Sequence, residues 1–249
     1  MPPALAPQYA ATDTTADGGV WEFQWSRDEF DLLLSAGVLD AAGVKLRGGL
    51  IWQVEAGEAM PHLWNREQYH AAIEAGVFAS RGRVELIEGR IYEMAAVSVE
   101  HVVMMENTYE WLRVAFEHRV SHLVRMQVPA GVIGSEPEPD VWVVRGAGSQ
   151  VQQKRDLTPD DLVLAVEVSN RTLSHDRNKK RRLYAAFGLR DFWLIDVVKR
   201  VLEVRRQPAL VDGNWNYREL RYYRGTETAS PLARPGVEVQ VDRLLDGED

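Results

Sequence analysis

Residues 162–168 read LVLAVEV, an apolar run that is interrupted only by Glu167. A continuous apolar run of this length is typical of a strand that is buried on both faces near the centre of a sheet. A carboxylate inside such a strand is costly unless it is ion-paired or binds a metal. We therefore predict a central strand here. Glu167 is then either a catalytic or metal-binding group or an ion-paired residue at the end of the strand.

Strands and helices alternate on both sides of this run, which indicates an α/β fold with a central mixed β-sheet flanked by helices. Apolar residues at helical spacing predict one helix from Val99 to about Glu117 and a second from about Asp176 to Phe187. The other strands are predicted at residues 84–94 (a hairpin that turns at Glu88-Gly89), 123–128, 140–144, 192–197, 201–206 and 217–223.

The N-terminal part contains an internal repeat. Trp25-Ser26-Arg27 reappears as Trp64-Asn65-Arg66, 39 residues later. Each copy predicts a helix, a short loop and a hairpin, with Ser26 and Asn65 as the helix N-caps. We predict a disordered tail at residues 1–20, a degenerate duplicate of the helix–hairpin unit at 21–60, and the main domain at 61–249.

The two copies differ at Glu85, which is Lys45 in the first copy. If Glu85 were only a surface charge, lysine would be a neutral replacement. If Glu85 binds a metal, the first copy is an inactive duplicate.

Composition excludes several classes of protein. The 249 residues include 29 Lys and Arg against 37 Asp and Glu, a net charge of −8, and no cysteine, which excludes disulfides, thiol catalysis and thiolate metal sites. No apolar stretch reaches the roughly 18 residues of a membrane helix, and residues 1–20 lack the pattern of a secretory signal. We expect a cytoplasmic protein without a membrane partner, in which any contact with nucleic acid uses a local basic patch.

The helix after Glu167 contains a lysine in an unusual position. At about 100° per residue, Lys180 falls on the same stripe as Asp176, Leu183 and Phe187, while Arg181 faces outward. A lysine in an apolar stripe either extends its stem to solvent or reaches a buried partner. We favour the second interpretation, because Glu167 lies only 13 residues earlier.

Asp140 follows Pro139 at the start of a predicted strand, so two carboxylates and one lysine can share a site. Carboxylates are the ligands that Mg²⁺ prefers. A bound Mg²⁺ polarises a phosphodiester and lowers the pKa of its water. Lys180 would orient or deprotonate that water, or offset charge in the transition state.

Residues 171–182 hold six basic residues against one acid, a local charge of +5. They are either a phosphate-binding surface or a solvated helix face. Besides Lys180, the candidates for phosphate binding are Arg171, Arg177, Lys179, Arg181 and Arg182.

The order of these residues resembles the Uma-two family, a bacterial group described as endonucleases of the PD-(D/E)XK, or restriction-endonuclease-like, superfamily. The resemblance covers a core at roughly residues 64–206. Its motifs are VELIEGRIYEM at 84–94, His101, EPDV at 138–141, EVS at 167–169, Asp176-x-x-x-Lys180-x-x-x-Tyr184 and FWLID at 192–196.

The resemblance implies the fold of that superfamily and Mg²⁺-dependent cleavage of phosphodiesters, with Glu85, Asp140 and Glu167 as metal ligands. The superfamily's usual lysine, two residues after the glutamate, is Ser169 here. In this family a lysine of the following helix takes its place, which matches Lys180.

The leading interpretation is an endonuclease that uses Mg²⁺, with Mn²⁺ as a substitute, and acts on nucleic acid, with DNA as the expected substrate. A homodimer is compatible with the sequence. Two alternatives stay open: a catalytically silent module that binds nucleic acid or protein, and a hydrolase of another phosphoester, which the acidic net charge favours.

Overall fold

The computed structural model describes residues 19–116, 122–146 and 157–247. The chain divides into two compact units, Met1–Ala95 and Ala96–Asp249. The predicted tail at 1–20 lies outside the described residues except for its last two, and Val20 begins a strand. Within the described ranges, no helix is long and apolar enough to cross a membrane.

Over its described residues, 19–95, the first unit contains two helices and two antiparallel three-stranded sheets. The sheets have the strand orders β2-β3-β4 and β1-β6-β5. The elements are β1 (Val20–Glu22), α1 (Arg27–Ser35), β2 (Val44–Arg47), β3 (Leu50–Glu55), β4 (Glu58–Pro61), α2 (Arg66–Glu74), β5 (Val84–Ile87) and β6 (Arg90–Met94).

The internal repeat is a structural repeat. Ser26 and Asn65 each form a capping box at the start of α1 and α2, as predicted. The backbone N–H of Trp25 donates to the carbonyl of Gly49 in the first hairpin at 2.8 Å, and that of Trp64 donates to Gly89 in the second at the same distance. In each copy, therefore, the same hydrogen bond joins the residue before the helix N-cap to the hairpin of that copy.

The two copies also exchange strands. β1, which leads into α1, pairs with β6 of the second copy, while β4, which leads into α2, pairs with β3 of the first. The indole rings of Trp25 and Trp64 stack with centroids 5.0 Å apart in the core that the copies share.

The compact units divide after Ala95, so both copies of the repeat belong to the first unit. A main domain that begins at residue 61 stays a prediction. The second copy is bound to the first because each sheet takes its third strand from the other copy.

The second unit is built on a six-stranded sheet with the order β12-β11-β10-β9-β8-β7. β9 and β10 are parallel and the other pairs are antiparallel, so the predicted mixed sheet is confirmed. The strands are β7 (His122–Met126), β8 (Val141–Arg145), β9 (Leu162–Ser169), β10 (Asp191–Asp196), β11 (Val201–Val211) and β12 (Asn214–Tyr223), followed by a short pair, β13 (Thr228–Ala229) and β14 (Val239–Gln240).

Helices flank this sheet. They are α3 (Val99–Ala115), α4 (Arg181–Phe187), which follows a short turn at Leu173–His175 and a π-helical turn at Asp176–Lys180, and α5 (Val241–Asp246). Val166 and Val168 of β9 face the core that α3 and α5 cover. Because side chains alternate along a strand, Glu167 points to the opposite face, where the π-helical turn and α4 lie.

We predict that a chain beginning at Glu58 loses the fold of the first unit. This truncation removes β1 from the β5–β6 sheet and takes Phe23, Trp25 and Leu33 from the shared core. Hydrogen exchange should show the amides of β5 and β6 losing protection. A chain beginning at Gly19 is the control and should keep it. Full protection of β5 and β6 in the shorter chain would show that the second copy folds alone.

Candidate active site

Asp140 and Glu167 are brought together by the pairing of β8 with β9. Val141 lies opposite Val166, so continuing the antiparallel register by one residue places Asp140 opposite Glu167. The Asp140 Oδ2 accepts a hydrogen bond from the Val168 N–H at 2.8 Å. The sequence prediction required these two carboxylates to share one face of the sheet, and the register supports it.

Glu167 is held by two groups from the helical layer. Tyr184 Oη donates to its Oε1 at 2.7 Å, and Lys180 Nζ lies 3.1 Å from its Oε2. Both Glu167 and Lys180 are 1% exposed. The prediction that the Lys180 ammonium points to the carboxylates instead of to bulk water is confirmed.

The helix that carries Lys180 differs from the one predicted. A regular α-helix was expected from Asp176, but Asp176–Lys180 form a π-helical turn, in which hydrogen bonds run from i to i+5. Side chains four positions apart still lie on nearly the same side of this wider turn. Asp176 and Lys180 therefore both point into the protein, as the helical wheel predicted, although they lie in a π-helical turn and not in an α-helix.

Asp176 is a third buried carboxylate at this site. Its Oδ2 accepts hydrogen bonds from Ser169 Oγ at 2.7 Å and Thr172 Oγ1 at 2.6 Å, and its Oδ1 lies 3.9 Å from Lys180 Nζ. Burial raises the pKa of the Asp176 carboxyl, whereas Lys180 and the two hydroxyl groups act in the opposite direction. Sequence reasoning placed Asp176 on the buried stripe but assigned it no role; its spacing of four from Lys180 was the available signal.

The charges and donor atoms of this cluster suit a divalent cation. Asp140 and Glu167 are both buried and lie on the same face of the sheet. Buried carboxylates are costly unless they are paired or bind a cation, and carboxylate oxygens suit Mg²⁺. Within the described ranges, no three His, Asp or Glu side chains are arranged as a metal site. A cation bound by Asp140 and Glu167 would therefore need further ligands, from other residues or from water.

Glu85 lies in the first unit, on β5, and is buried. It pairs with Tyr92, and the equivalent Lys45 of the first copy pairs with Trp52 and is exposed. Position 85 is therefore a place where a charge is costly, whereas position 45 is a surface position. That Glu85 joins Asp140 and Glu167 in one site stays a prediction.

Two of the predicted phosphate-binding residues are engaged within the protein. Arg177 donates to the buried carboxylates of Asp196 and Glu203. Arg181 was expected to face outward, but it donates to the carbonyls of Arg177 and Trp215. The partners Asp196, Glu203 and Trp215 belong to β10, β11 and β12, so both arginine side chains point toward the sheet. Among the others, Arg171 is exposed, and Lys179 and Arg182 are partly exposed.

Two histidines border the cluster. His101 of α3 places Nε2 3.1 Å from Asp140 Oδ1, which orients that carboxylate. Burial, together with Lys180 and Lys179, lowers the pKa of His175 to about 2, so its ring is neutral at physiological pH.

We predict that Arg177→Met lowers the free energy of unfolding by about 2–4 kcal/mol, because it removes the cation that pairs with Asp196 and one of the two that pair with Glu203, the other being Arg205. Arg171→Met removes a positive charge from an exposed position and should change stability by less than about 0.5 kcal/mol. Urea unfolding of both variants tests this. Equal stability would show that the Arg177 network carries no net energy.

Comparisons with known proteins identify a family and a similar fold. The chain matches the model of the Uma2 family, described as "Putative restriction endonuclease", over residues 66–242. A solved structure of a protein from Anabaena variabilis, described as a putative nuclease belonging to DUF820, is similar with a TM-score of 0.53. That likeness has 14% sequence identity and covers 66% of this chain and 90% of the other, so it shows a shared fold. A comparison with curated proteins found no match.

The family match spans most of the chain and contains Glu85, Asp140, Glu167 and Lys180. It begins inside the first unit, at the start of α2, and leaves out the first copy of the repeat. The chain therefore belongs to the Uma-two (Uma2) family of restriction-endonuclease-like proteins.

Proposed function

We propose that this protein is a metal-dependent endonuclease that hydrolyses phosphodiester bonds of DNA. The observation that carries the proposal is the buried constellation of Asp140, Glu167 and Lys180 on one face of the central sheet. Membership of the family supports a nuclease. The carboxylate donors support Mg²⁺, with Mn²⁺ as a substitute.

Asp140 and Glu167 would hold the cation, with Glu85 as a third ligand on the basis of the sequence resemblance. A bound Mg²⁺ supplies a polarised phosphodiester and a water of lowered pKa. Tyr184 and His101 orient the two carboxylates by hydrogen bonds to Glu167 and Asp140. These hydrogen bonds would keep the Asp140 and Glu167 carboxylates in place while substrate binds.

We assign Lys180 to the attacking water or to the developing charge. Its ammonium is held inside the carboxylate cluster, so it needs little reorganisation during the reaction. As an ammonium it orients the water or offsets negative charge in the transition state; it can deprotonate the water only after it has lost its own proton. Ser169 occupies the position of the superfamily's usual lysine, two residues after Glu167, and its hydroxyl donates to Asp176. Lys180 is therefore the lysine that we assign to this role.

Substrate binding would rely on local positive charge, since the protein as a whole has a net charge of −8. Arg171, Lys179 and Arg182 are the candidates with exposed or partly exposed side chains. The acidic net charge favours one second candidate function, the hydrolysis of a smaller phosphoester such as a nucleotide.

We expect cleavage of single- or double-stranded DNA to require Mg²⁺ or Mn²⁺ and to stop on chelation. Asp140→Asn and Glu167→Gln should lower the rate by about 10²-fold or more, because each removes a charged ligand. In crystals soaked with Mn²⁺, an anomalous peak should lie beside Asp140, Glu167 and Glu85. A peak beside Asp140 and Glu167 but remote from Glu85 would remove Glu85 from the ligand set, and cleavage in the presence of chelator would contradict the mechanism.

We expect Lys180→Met to lower the cleavage rate by about 10²-fold or more while Mn²⁺ still binds, because lysine is not a ligand. Methionine keeps the apolar stem, so the helix should still pack. Lys179→Met is the matched control on the neighbouring residue. It should weaken DNA binding in a salt-dependent way with little effect on the chemical step. Wild-type activity in Lys180→Met would exclude Lys180 from the mechanism.

A further inference from the structure

Lys180 lies between two carboxylates of different origin. Glu167 belongs to β9 and is 3.1 Å from the ammonium, whereas Asp176 belongs to the same π-helical turn as Lys180 and is 3.9 Å away. All three residues are at most 2% exposed. The reaction described above uses Glu167 and Lys180 but gives Asp176 no part.

The two oxygens of the Asp176 carboxylate differ in their hydrogen bonding. Ser169 and Thr172 both donate to Oδ2. Among the residues that the structure describes, none makes a hydrogen bond with Oδ1, which is the oxygen that faces Lys180. Asp176 therefore presents a rigidly held, buried acceptor to the ammonium at a distance slightly too long for a hydrogen bond.

A cation at Glu167 would compete with Lys180 for the same carboxylate. Both are positively charged, so binding of the cation weakens the attraction of Glu167 for the ammonium and adds a repulsion. Solvent is not within easy reach, because Lys180 is 1% exposed. Asp176 Oδ1 is an alternative acceptor 3.9 Å away, and a shift of about 1 Å would bring it to the usual distance of a charged hydrogen bond.

We propose that Asp176 is the positioning residue that receives the Lys180 ammonium when a divalent cation occupies Asp140 and Glu167. This inference rests on the proposed metal-dependent function. Asp176 then offsets the cost of separating Lys180 from Glu167, and it keeps the ammonium beside the reacting water instead of letting it leave the site. Lys180 is a counter-ion for Glu167 in the cation-free protein and a partner of Asp176 in the loaded one.

The first test needs no metal. Glu167→Gln removes the negative charge of Glu167, as a bound cation would, and leaves a side chain of the same size. In a crystal structure of this variant, the distance from Lys180 Nζ to Asp176 Oδ1 should fall from 3.9 Å to about 2.8 Å. An ammonium that stays on residue 167, or that turns to solvent, would overturn the proposal.

The second test measures Mn²⁺ affinity by calorimetry in wild type, Asp176→Asn, Lys180→Met and the double variant. Asp176→Asn should weaken binding about tenfold, within the range for directly coupled neighbours. Lys180→Met should strengthen binding, because the competing charge is gone. In the Lys180→Met background, Asp176→Asn should have a much smaller effect, since only its through-space charge is then lost. Equal effects of Asp176→Asn in both backgrounds would overturn the proposal.

Asp196→Asn is the matched control. Asp196 is a buried carboxylate of the same unit, and it is ion-paired with Arg177, whereas Asp176 lies beside Lys180. Its substitution should leave Mn²⁺ affinity within about twofold of wild type. A tenfold loss there would attribute the Asp176 effect to general loss of negative charge and overturn the proposal.

The two tests separate this inference from the function on which it rests. If folded wild type binds no Mn²⁺ up to millimolar concentrations, the metal-dependent function fails. The position of Lys180 in the Glu167→Gln crystal still decides whether Asp176 accepts the ammonium. If wild type binds Mn²⁺ and Lys180 does not move in Glu167→Gln, the metal-dependent function stands and the role of Asp176 is refuted.

Discussion

The ion pair between Lys180 and Glu167 sets the main constraint on the second unit, because both partners are almost wholly removed from water. Desolvating two charges costs more than their attraction returns unless further groups complete their hydrogen bonding. Tyr184 and the nearby Asp176 supply those groups. Glu167 must accordingly lie on a strand with neighbours on both sides, and the helical layer must pass directly over it. β9, between β8 and β10, meets the first condition, and the π-helical turn with α4 meets the second.

Much of this arrangement could be predicted from the sequence because it depends on local patterns. The apolar run around Glu167 gave the central strand. The spacing of Lys180 from Leu183 gave its burial, since positions close to a multiple of a helical turn share a side. The repeat was predictable because Ser26 and Asn65 carry the chemistry of N-caps, which acts within a few residues.

Features that depend on distant parts of the chain were not predictable from one sequence. The π-helical turn at Asp176–Lys180 is one, because α-helical and π-helical turns both place side chains four positions apart on nearly the same side and therefore share one sequence pattern. The engagement of Arg177 by Asp196 and Glu203 is another, because a basic run looks alike whether it faces solvent or buried acids. The C-terminal helix α5 is a third: its Val241 and Leu244 pack into the core, but a six-residue helix gives too short a pattern to detect in the sequence.

The exchange of strands in the first unit has a consequence for the order in which the chain can fold during synthesis. Trp21 of β1 donates to Glu93 of β6 across 72 residues, so β1 leaves the ribosome well before its partner β6, the last strand of the repeat, is available. Closing so long a loop is slow compared with forming either hairpin. The sheet that carries Glu85 is therefore completed only after both copies have emerged. Between the emergence of β6 and its pairing with β1, the edge of β6 is unpaired, and another nascent chain could add its own β1 there and form a swapped dimer.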